Sequence, residues 1–337
     1  MIHFAARRFM ETIPVLVLVL LTVFGLTHLI PGNPATMLLG PDATEQQINT
    51  LRHELHLDAP LYSQFFSYVQ LLLHGNLGLS LRTGRPVAES LALYLPATAE
   101  LALVSLFFAV LIGLPLGLIA ATRPKGTANY ILQFYSVCGV SVPAFLLAFF
   151  LQIIFCSWLN WLPVAGRSSA FAPDNMTTGF ALFKALGHID GPAIKDLAAH
   201  ILLPSLVLGT FIAATLARFL RNTMKEVLSS DYILTAQAKG LRRSQIILSH
   251  ALPNAIGPAI MVLGVQFGDM LGGAILTETV FSWPGIGRYM FESIRARDYA
   301  AIQSTTLVFS LIFMGVSLLA DFITAMIDPR LRNERSS

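Results

Sequence analysis

Residues 98–122 read TAELALVSLFFAVLIGLPLGLIAAT, and beyond Glu100 the stretch holds no charged side chain. As a helix rising 1.5 Å per residue it would extend about 37 Å. That is enough to cross the ~30 Å hydrocarbon core of a bilayer. Five more apolar stretches of this kind lie at residues 12–30, 132–157, 201–220, 258–281 and 303–327. Inside lipid every backbone N–H and C=O needs a partner, which a helix supplies within its own segment. The expected fold is therefore an all-α polytopic membrane protein with about six transmembrane helices. Composition agrees: 55% of the 337 residues are hydrophobic, 12% are charged, and mean hydropathy is +0.66. A soluble globular chain carries about 25% charged residues. The balance excludes a disordered chain, a nucleic-acid binder built on charge and an ordinary cytosolic enzyme. The net charge of +3 is too small to imply a polyanionic partner. The two cysteines, Cys138 and Cys156, share one apolar stretch. As a helix it would hold them about 27 Å apart, beyond disulfide reach.

The first stretch follows Arg7 and Arg8, as a signal peptide would. It is long for a signal core, however, and is followed by Pro31-Gly32-Asn33-Pro34 rather than a small-residue cleavage pattern. It is expected to be a retained span. Six spans put both termini on one side. Thirteen of the 22 Lys and Arg fall on that side: Arg7 and Arg8, Arg123 and Lys125, six from Arg218 to Arg243, and Arg330, Arg332 and Arg335. They occupy about 67 residues, against about 129 for the remainder, so the denser side is expected to be cytoplasmic. The chain then divides into a first span with a long extracytoplasmic loop (1–97), a five-span core (98–330) with a cytoplasmic loop at 221–254, and a cytoplasmic tail (331–337). Within the outer loop, residues 44–55 and 61–73 have helix-like patterns.

Several chemistries lack their residues. None of the five lysines follows a glycine, so the chain has no Gly-Lys phosphate cradle for ATP. His53-Glu54-Leu55-His56 lacks the spacing of a zinc helix, and no Gly-x-Ser-x-Gly elbow occurs. Asn175-Met176-Thr177 is a formal glycosylation sequon of a kind common by chance. No metal or cofactor is implied.

The inner loop, residues 231–254, reads DYILTAQAKGLRRSQIILSHALPN. It predicts a short helix, a left-handed turn at Gly240, and a second helix interrupted near Pro253. Ala236 and Gly240, four apart and without bulk, suggest a face that another protein approaches closely. A DNA-binding helix-turn-helix would also place a glycine in its turn, but spans begin within about twenty residues on either side. An inert solvated loop would have little reason to keep two apolar helical stretches.

The segment resembles the cytoplasmic "EAA" loop of ABC-importer permeases, whose pattern is EAA, three residues, Gly, nine residues, I-x-L-P. Ala236, Gly240, Leu252 and Pro253 match it. Leu234 stands for the glutamate, Thr235 for the first alanine and His250 for the isoleucine. Nearly the whole chain is similar to the dipeptide/oligopeptide permeases of this class. The resemblance rests on Ile30-Pro31-Gly32-Asn33-Pro34, Gly75-Asn76-Leu77-Gly78, Arg82-Thr83-Gly84-Arg85-Pro86-Val87 and Leu95-Pro96-Ala97-Thr98-Ala99-Glu100-Leu101. It continues through Leu162-Pro163-Val164-Ala165-Gly166-Arg167, the run from Thr277 to Arg288, Arg297-Asp298-Tyr299 and Asp328-Pro329-Arg330.

The resemblance implies a type I ABC-importer-like fold in a bacterial cytoplasmic membrane. It also implies a second homologous permease subunit, two cytoplasmic ATP-binding subunits, an extracytoplasmic solute-binding protein and a small peptide as substrate. Relatives of the family also import glutathione and nickel chelates. The inner loop would transmit ATP-driven motion to the spans.

Within the spans, Gly264, Gly268 and Gly272 form a small-residue stripe suited to close helix packing. Pro143 suggests a kink. Asp269, Glu278 and Asp321 are intramembrane carboxylates and candidates for the translocation path. Asp269 and Asp321 would serve as relay groups in a rival reading, an ion-coupled secondary transporter. A second rival, an intramembrane enzyme, lacks any evident nucleophile–base pair.

Overall fold

The computed structural model describes residues 2–29, 43–54, 58–169 and 179–327. The motif at 30–34, the sequon at 175–177 and the segment from Asp328 through the last arginines lie outside these residues. Among the described residues the regular structure is helical, apart from one bridge between Leu79 and Pro86. Three described helices precede the core: α1 (Ile2–Leu29), α2 (Glu45–Glu54) and α3 (Leu61–Leu73). Next come α4 (Val87–Thr122), α5 (Thr127–Ser141) and α6 (Ala144–Leu151), the last extended by a π-helical stretch, Gln152–Trp158. A short α7 (Ala181–His188) leads into α8 (Gly191–Leu228). The inner loop forms α9 (Asp231–Ala238) and α10 (Arg243–Gln245), then a π-helical stretch, Ile246–Ala251. Finally α11 (Leu252–Val280), α12 (Ile286–Arg295) and α13 (Tyr299–Ile327) complete the chain.

Among the described residues, four helical runs are long and apolar enough to cross a membrane: Val87–Thr122, Gly191–Leu228, Arg243–Gly268 and Tyr299–Thr324. They contain or overlap the expected second, fourth, fifth and sixth spans. Shorter apolar helices, Met10–Gly25 and Ala144–Trp158, lie at the first and third positions. Two boundaries are corrected. The second and fourth spans begin earlier than their apolar cores, at Val87 and Gly191. The earlier turns are more polar, and at α8 the Asp190 carboxylate caps the N-terminus by accepting from Ala193 N at 3.2 Å. The third span is not one continuous helix. It stops at Ser141 and restarts at Ala144. Proline forces its predecessor, Val142, out of the helical region, so Pro143 makes a break rather than a mild kink.

The central contact is between α4 and α8, and it is backbone on backbone. A Cβ on Gly113 would lie 2.9 Å from Ala213 O, one on Gly117 2.7 Å from Ala217 O, and one on Gly209 2.6 Å from Ser105 O. Residue numbers rise together along both helices, so they run parallel, as the second and fourth crossings of a serpentine chain must. The glycine stripe of α11 packs on α13. Gly264 closes on Ala320 and Gly268 on the Phe313 ring, in the antiparallel sense. The surroundings of Gly272 lie outside the described residues. A buried apolar layer extends these contacts, with Leu101 and Ala109 of α4 against Leu208, Ile212 and Ala213 of α8.

Replacing Gly209 by alanine should therefore drive a methyl into the Ser105 carbonyl and destabilise the protein by about 1–3 kcal/mol, the usual penalty of overpacking. Gly187→Ala, where the methyl meets open space, should leave stability unchanged or slightly raised. Thermal unfolding of the two detergent-purified variants, compared with the parent, checks the difference.

Candidate functional site

The inner loop is a compact elbow. Helix α9 ends at Ala238, and Gly240 takes φ +77°, the left-handed turn expected there. Gly240 N donates to Gln237 O at 2.9 Å, and Leu241 N donates to Ala236 O at 3.3 Å. The next helix opens at Arg243, with the Gln245 carboxamide accepting from Arg242 N at 3.1 Å.

Two expectations about this loop are corrected. The second helix does not end near Pro253. It passes through a π-helical stretch, Ile246–Ala251, directly into α11. Proline lacks an N–H and its ring crowds the carbonyl four residues before it. A wider π turn placed just before Pro253 relieves both problems. The second correction concerns Ala236, which is buried rather than presented outward. It packs with Leu216, Leu220, Met224, Ile233, Ile246 and Ala251 of its own chain. The small side chain lets α9 sit close to α8 and the elbow. The outward surface comes instead from Leu234, Thr235, Gly240, Leu241, Leu248, His250 and Pro253, while Leu252 is half-buried.

Three polar contacts fasten the elbow. Asn254 Nδ2 donates to His250 O at 2.7 Å and to Tyr232 Oη at 3.2 Å, tying α9 to the start of α11. Arg243 donates from its guanidinium to Thr122 O at 2.7 Å. Thr122 is the last residue of α4, where unpaired carbonyls and the helix dipole favour a cation. A cavity of about 530 Å³ opens between these elements, lined by Thr122, Leu228, Gln237, Leu241 and Arg243 among others. Sequence reading counted Arg243 only as part of a charge bias, because its partner carbonyl lies 121 residues away.

At the opposite end of the helices, sequence motifs far apart in the chain meet. Glu278 is fully buried at the end of α11. Thr98 Oγ1 donates to its carboxyl at 2.6 Å, and Arg288 N donates to it at 2.9 Å. The same Thr98 oxygen accepts from Ile286 N at 2.8 Å. A side chain on Gly285 would collide with the Glu278 carboxyl, which explains the glycine after Pro284. Trp283 Nε1 donates to Ala97 O at 3.0 Å.

Next to this knot, the Arg167 guanidinium meets Glu100 at 2.5 Å, with the side chains 2% and 1% exposed. Glu100 also accepts from Leu182 N at 2.7 Å, and Arg167 donates to Gly179 O at 2.7 Å. Farther along, Asp298 accepts from Ser80 Oγ at 2.6 Å and from Arg82 N at 3.2 Å. In the sequence Glu100, Arg167, Arg82 and Asp298 stand only within motifs, and Ser80 within none. The opposite signs of Glu100 and Arg167 in two apolar settings were the available clue.

The candidate path residues are therefore not brought together. Glu278 sits in the closed knot, and Asp321 is half-buried on α13. Asp269 belongs to α11, and its side chain lies outside the described residues.

This arrangement has relatives. Residues 113–333 match the family model described as binding-protein-dependent transport system inner membrane component, and residues 1–102 match the N-terminal model of such membrane components. The chain belongs to this family. A dipeptide transport system permease protein of Alkalihalophilus pseudofirmus is 44% identical, with 98% of this chain and all of that one aligned. A probable D,D-dipeptide transport system permease protein of Escherichia coli is 43% identical over 91% of each chain. A glutathione transport system permease protein of Escherichia coli is 37% identical, covering 98% and 99%. Among solved structures, a chain of the MetNI methionine ABC transporter in inward-facing conformations aligns with TM-score 0.50 at 18% identity. It covers 69% of this chain and 93% of that one, a likeness of fold. The chain is thus a membrane component of a binding-protein-dependent transport system, with the type I importer fold.

In this membrane component the Thr98 hydroxyl is the hinge pin of the Glu278 knot. Thr98→Val keeps the shape but leaves the carboxyl and Ile286 N–H each short of a partner, a loss of about 1–3 kcal/mol per group. The purified variant should melt at lower temperature and expose the 282–288 turn to protease, whereas Thr98→Ser should behave as the parent.

Proposed function

We propose that this chain is one permease half of an ATP-driven importer that carries dipeptides and short oligopeptides across the bacterial cytoplasmic membrane, with both termini inside. The peptide assignment is supported by relatives aligned over nearly their whole length, two of which are named for dipeptides. Glutathione, itself a small peptide, is the nearest alternative cargo; a nickel chelate is a further one. The partners in this reading are a second permease half, two cytoplasmic ATP-binding subunits and an extracytoplasmic solute-binding protein. ATP hydrolysis is assigned to the ATP-binding subunits.

The observation that carries the reading is the covalent and helical continuity of the elbow with α11. An ATPase seated on Leu234, Thr235, Leu241, Leu248 and His250 would push on a surface that is the beginning of a span. The π stretch and Pro253 stand at the junction, and Asn254 and Arg243 brace it against α9 and α4. Closure of the ATPases on ATP would then tilt α11 directly and draw on α4 through Thr122. Such a tilt alternates the opening between the two sides of the membrane. Asp269 and Asp321 are assigned to polar positions along the path, and Glu278 to anchoring its outer end.

Gly240 tests the assignment. A β-branched residue at φ +77° is strained by about 1–3 kcal/mol, while a Cβ there meets open space. Gly240→Val should therefore insert and accumulate normally, yet misdirect α10. Peptide uptake and ATPase subunits co-purifying with the permease should both fall, with Gly240→Asn, which tolerates the left-handed turn better, falling less. Full uptake and full ATPase retention in Gly240→Val would remove the coupling role from this elbow.

A further inference from the structure

Helix α3 takes no part in the elbow or the polar knot, yet its surface is specific. Its 13 residues, LYSQFFSYVQLLL, contain no charge, and none is buried. One edge is fixed to the first apolar helix. The Phe24 ring of α1 packs on Phe65 at 5.4 Å between centroids and on Tyr68 at 6.1 Å. Phe24 lies five residues before the end of α1 at Leu29, so this contact sits about 8 Å inside the end of that helix. Whatever depth α1 reaches, α3 is held at the level of its last turn and a half.

The rest of α3 divides cleanly. Ser63, Ser67 and Gln70, at spacings of four and three, make a polar face. Between that face and the Phe24 contact runs an apolar face of Tyr62, Phe66 and Leu73, exposed by 69%, 68% and 82%. This face extends the uncovered apolar surface of α1 itself, where Ile13, Val17, Leu18 and Leu21 are also exposed. A membrane span exposes such residues because lipid covers them. The uncharged apolar face of α3, held at the outer end of the same span, meets the same medium. Interfacial helices sink their apolar face about 5–10 Å into the headgroup–acyl boundary, a position open to a helix held near the end of a span.

We propose that α3 is an interfacial helix, lying in the lipid boundary beside the first span with Tyr62, Phe66 and Leu73 in contact with acyl chains. It would hold the long segment between the first two spans down on the bilayer. The proposal rests on α1 crossing the membrane. It is independent of the transported solute and of the role of the elbow.

The test uses the assembled transporter, permease with its partner subunits, in nanodiscs of phosphatidylethanolamine and phosphatidylglycerol. In a background with Cys138→Ser and Cys156→Ser, an environment-sensitive fluorophore is attached at Phe66→Cys or, separately, at Leu73→Cys. A control probe at Asp58→Cys, an exposed site before the helix, reports water. Lipid carrying a spin label near the headgroup should quench most of the emission at 66 or 73 and little at 58. Aqueous iodide should quench mainly at 58. Iodide quenching at both helix positions without lipid quenching would place the face in water and overturn the proposal. Protection from both quenchers at both positions would mean that a protein surface covers the face, and would overturn it equally.

Discussion

Apolar side chains gain nothing by leaving lipid for one another, so helices in a bilayer associate through close packing and polar contacts. The contact that meets this condition most fully here is the seam between α4 and α8. Gly113, Gly117 and Gly209 bring the two backbones together at three successive levels. The seam also ties the two ends of the molecule to each other. The C-terminal end of α8 turns directly into α9, and the last carbonyl of α4 is held by Arg243. The N-terminal half of α4 supplies Ala97 O, Thr98 and Glu100 to the polar layer. A displacement of the elbow is thus referred to a rigid pair of helices rather than to loops.

The polar layer at the opposite end from the elbow shows how buried charge is tolerated. Glu100 and Arg167 are almost completely buried, and each ion carries additional hydrogen bonds to backbone groups. Breaking such a pair by removing one partner costs about 3–5 kcal/mol, although the intact pair need not exceed a well-packed apolar alternative. Its value here is positional. The pair fixes where the segment around Arg167 and the start of α7 meet α4, while Glu278 fixes the turn after α11 on the same helix. Asp298, with Ser80 and Arg82, does the same for the segment before α4. These three carboxylates each join pieces of chain far apart in sequence.

The membrane architecture was legible because apolar length is a local property, visible in residues 98–122 or 303–327 without any partner. The left-handed turn at Gly240 was legible for the same reason, whereas Pro143 announced only a kink and not the full break between Ser141 and Ala144. What stayed hidden depended on the third dimension. The polar turns that lengthen α4 and α8 carry no apolar signal. The continuity through Pro253 requires a π turn, which no residue pattern announces. Ala236 read as a small residue on an open face because nothing in the sequence tells which side of α9 meets α8. Glu100 and Arg167, 67 residues apart, each read as part of a motif, and only folding shows that they answer one another. Gly264 and Gly268 were read as packing residues and do pack; Gly113 and Gly117 of α4 carry the same spacing, and only folding shows that Gly209 of α8 completes their seam.

The central claim is that the elbow and the span beginning at Leu252 move as one body. Spin labels at Ala238 and Val265, both exposed, read this directly in the assembled transporter by pulsed electron resonance, first without nucleotide and then with ATP trapped on the ATPase subunits. The distance between the two labels of one chain should stay the same in both states, while the distance between the Ala238 label and its counterpart on the second permease half changes. A change within the chain, with the spans of the two halves unmoved, would show that the π stretch is a hinge that absorbs the motion, and would contradict the account.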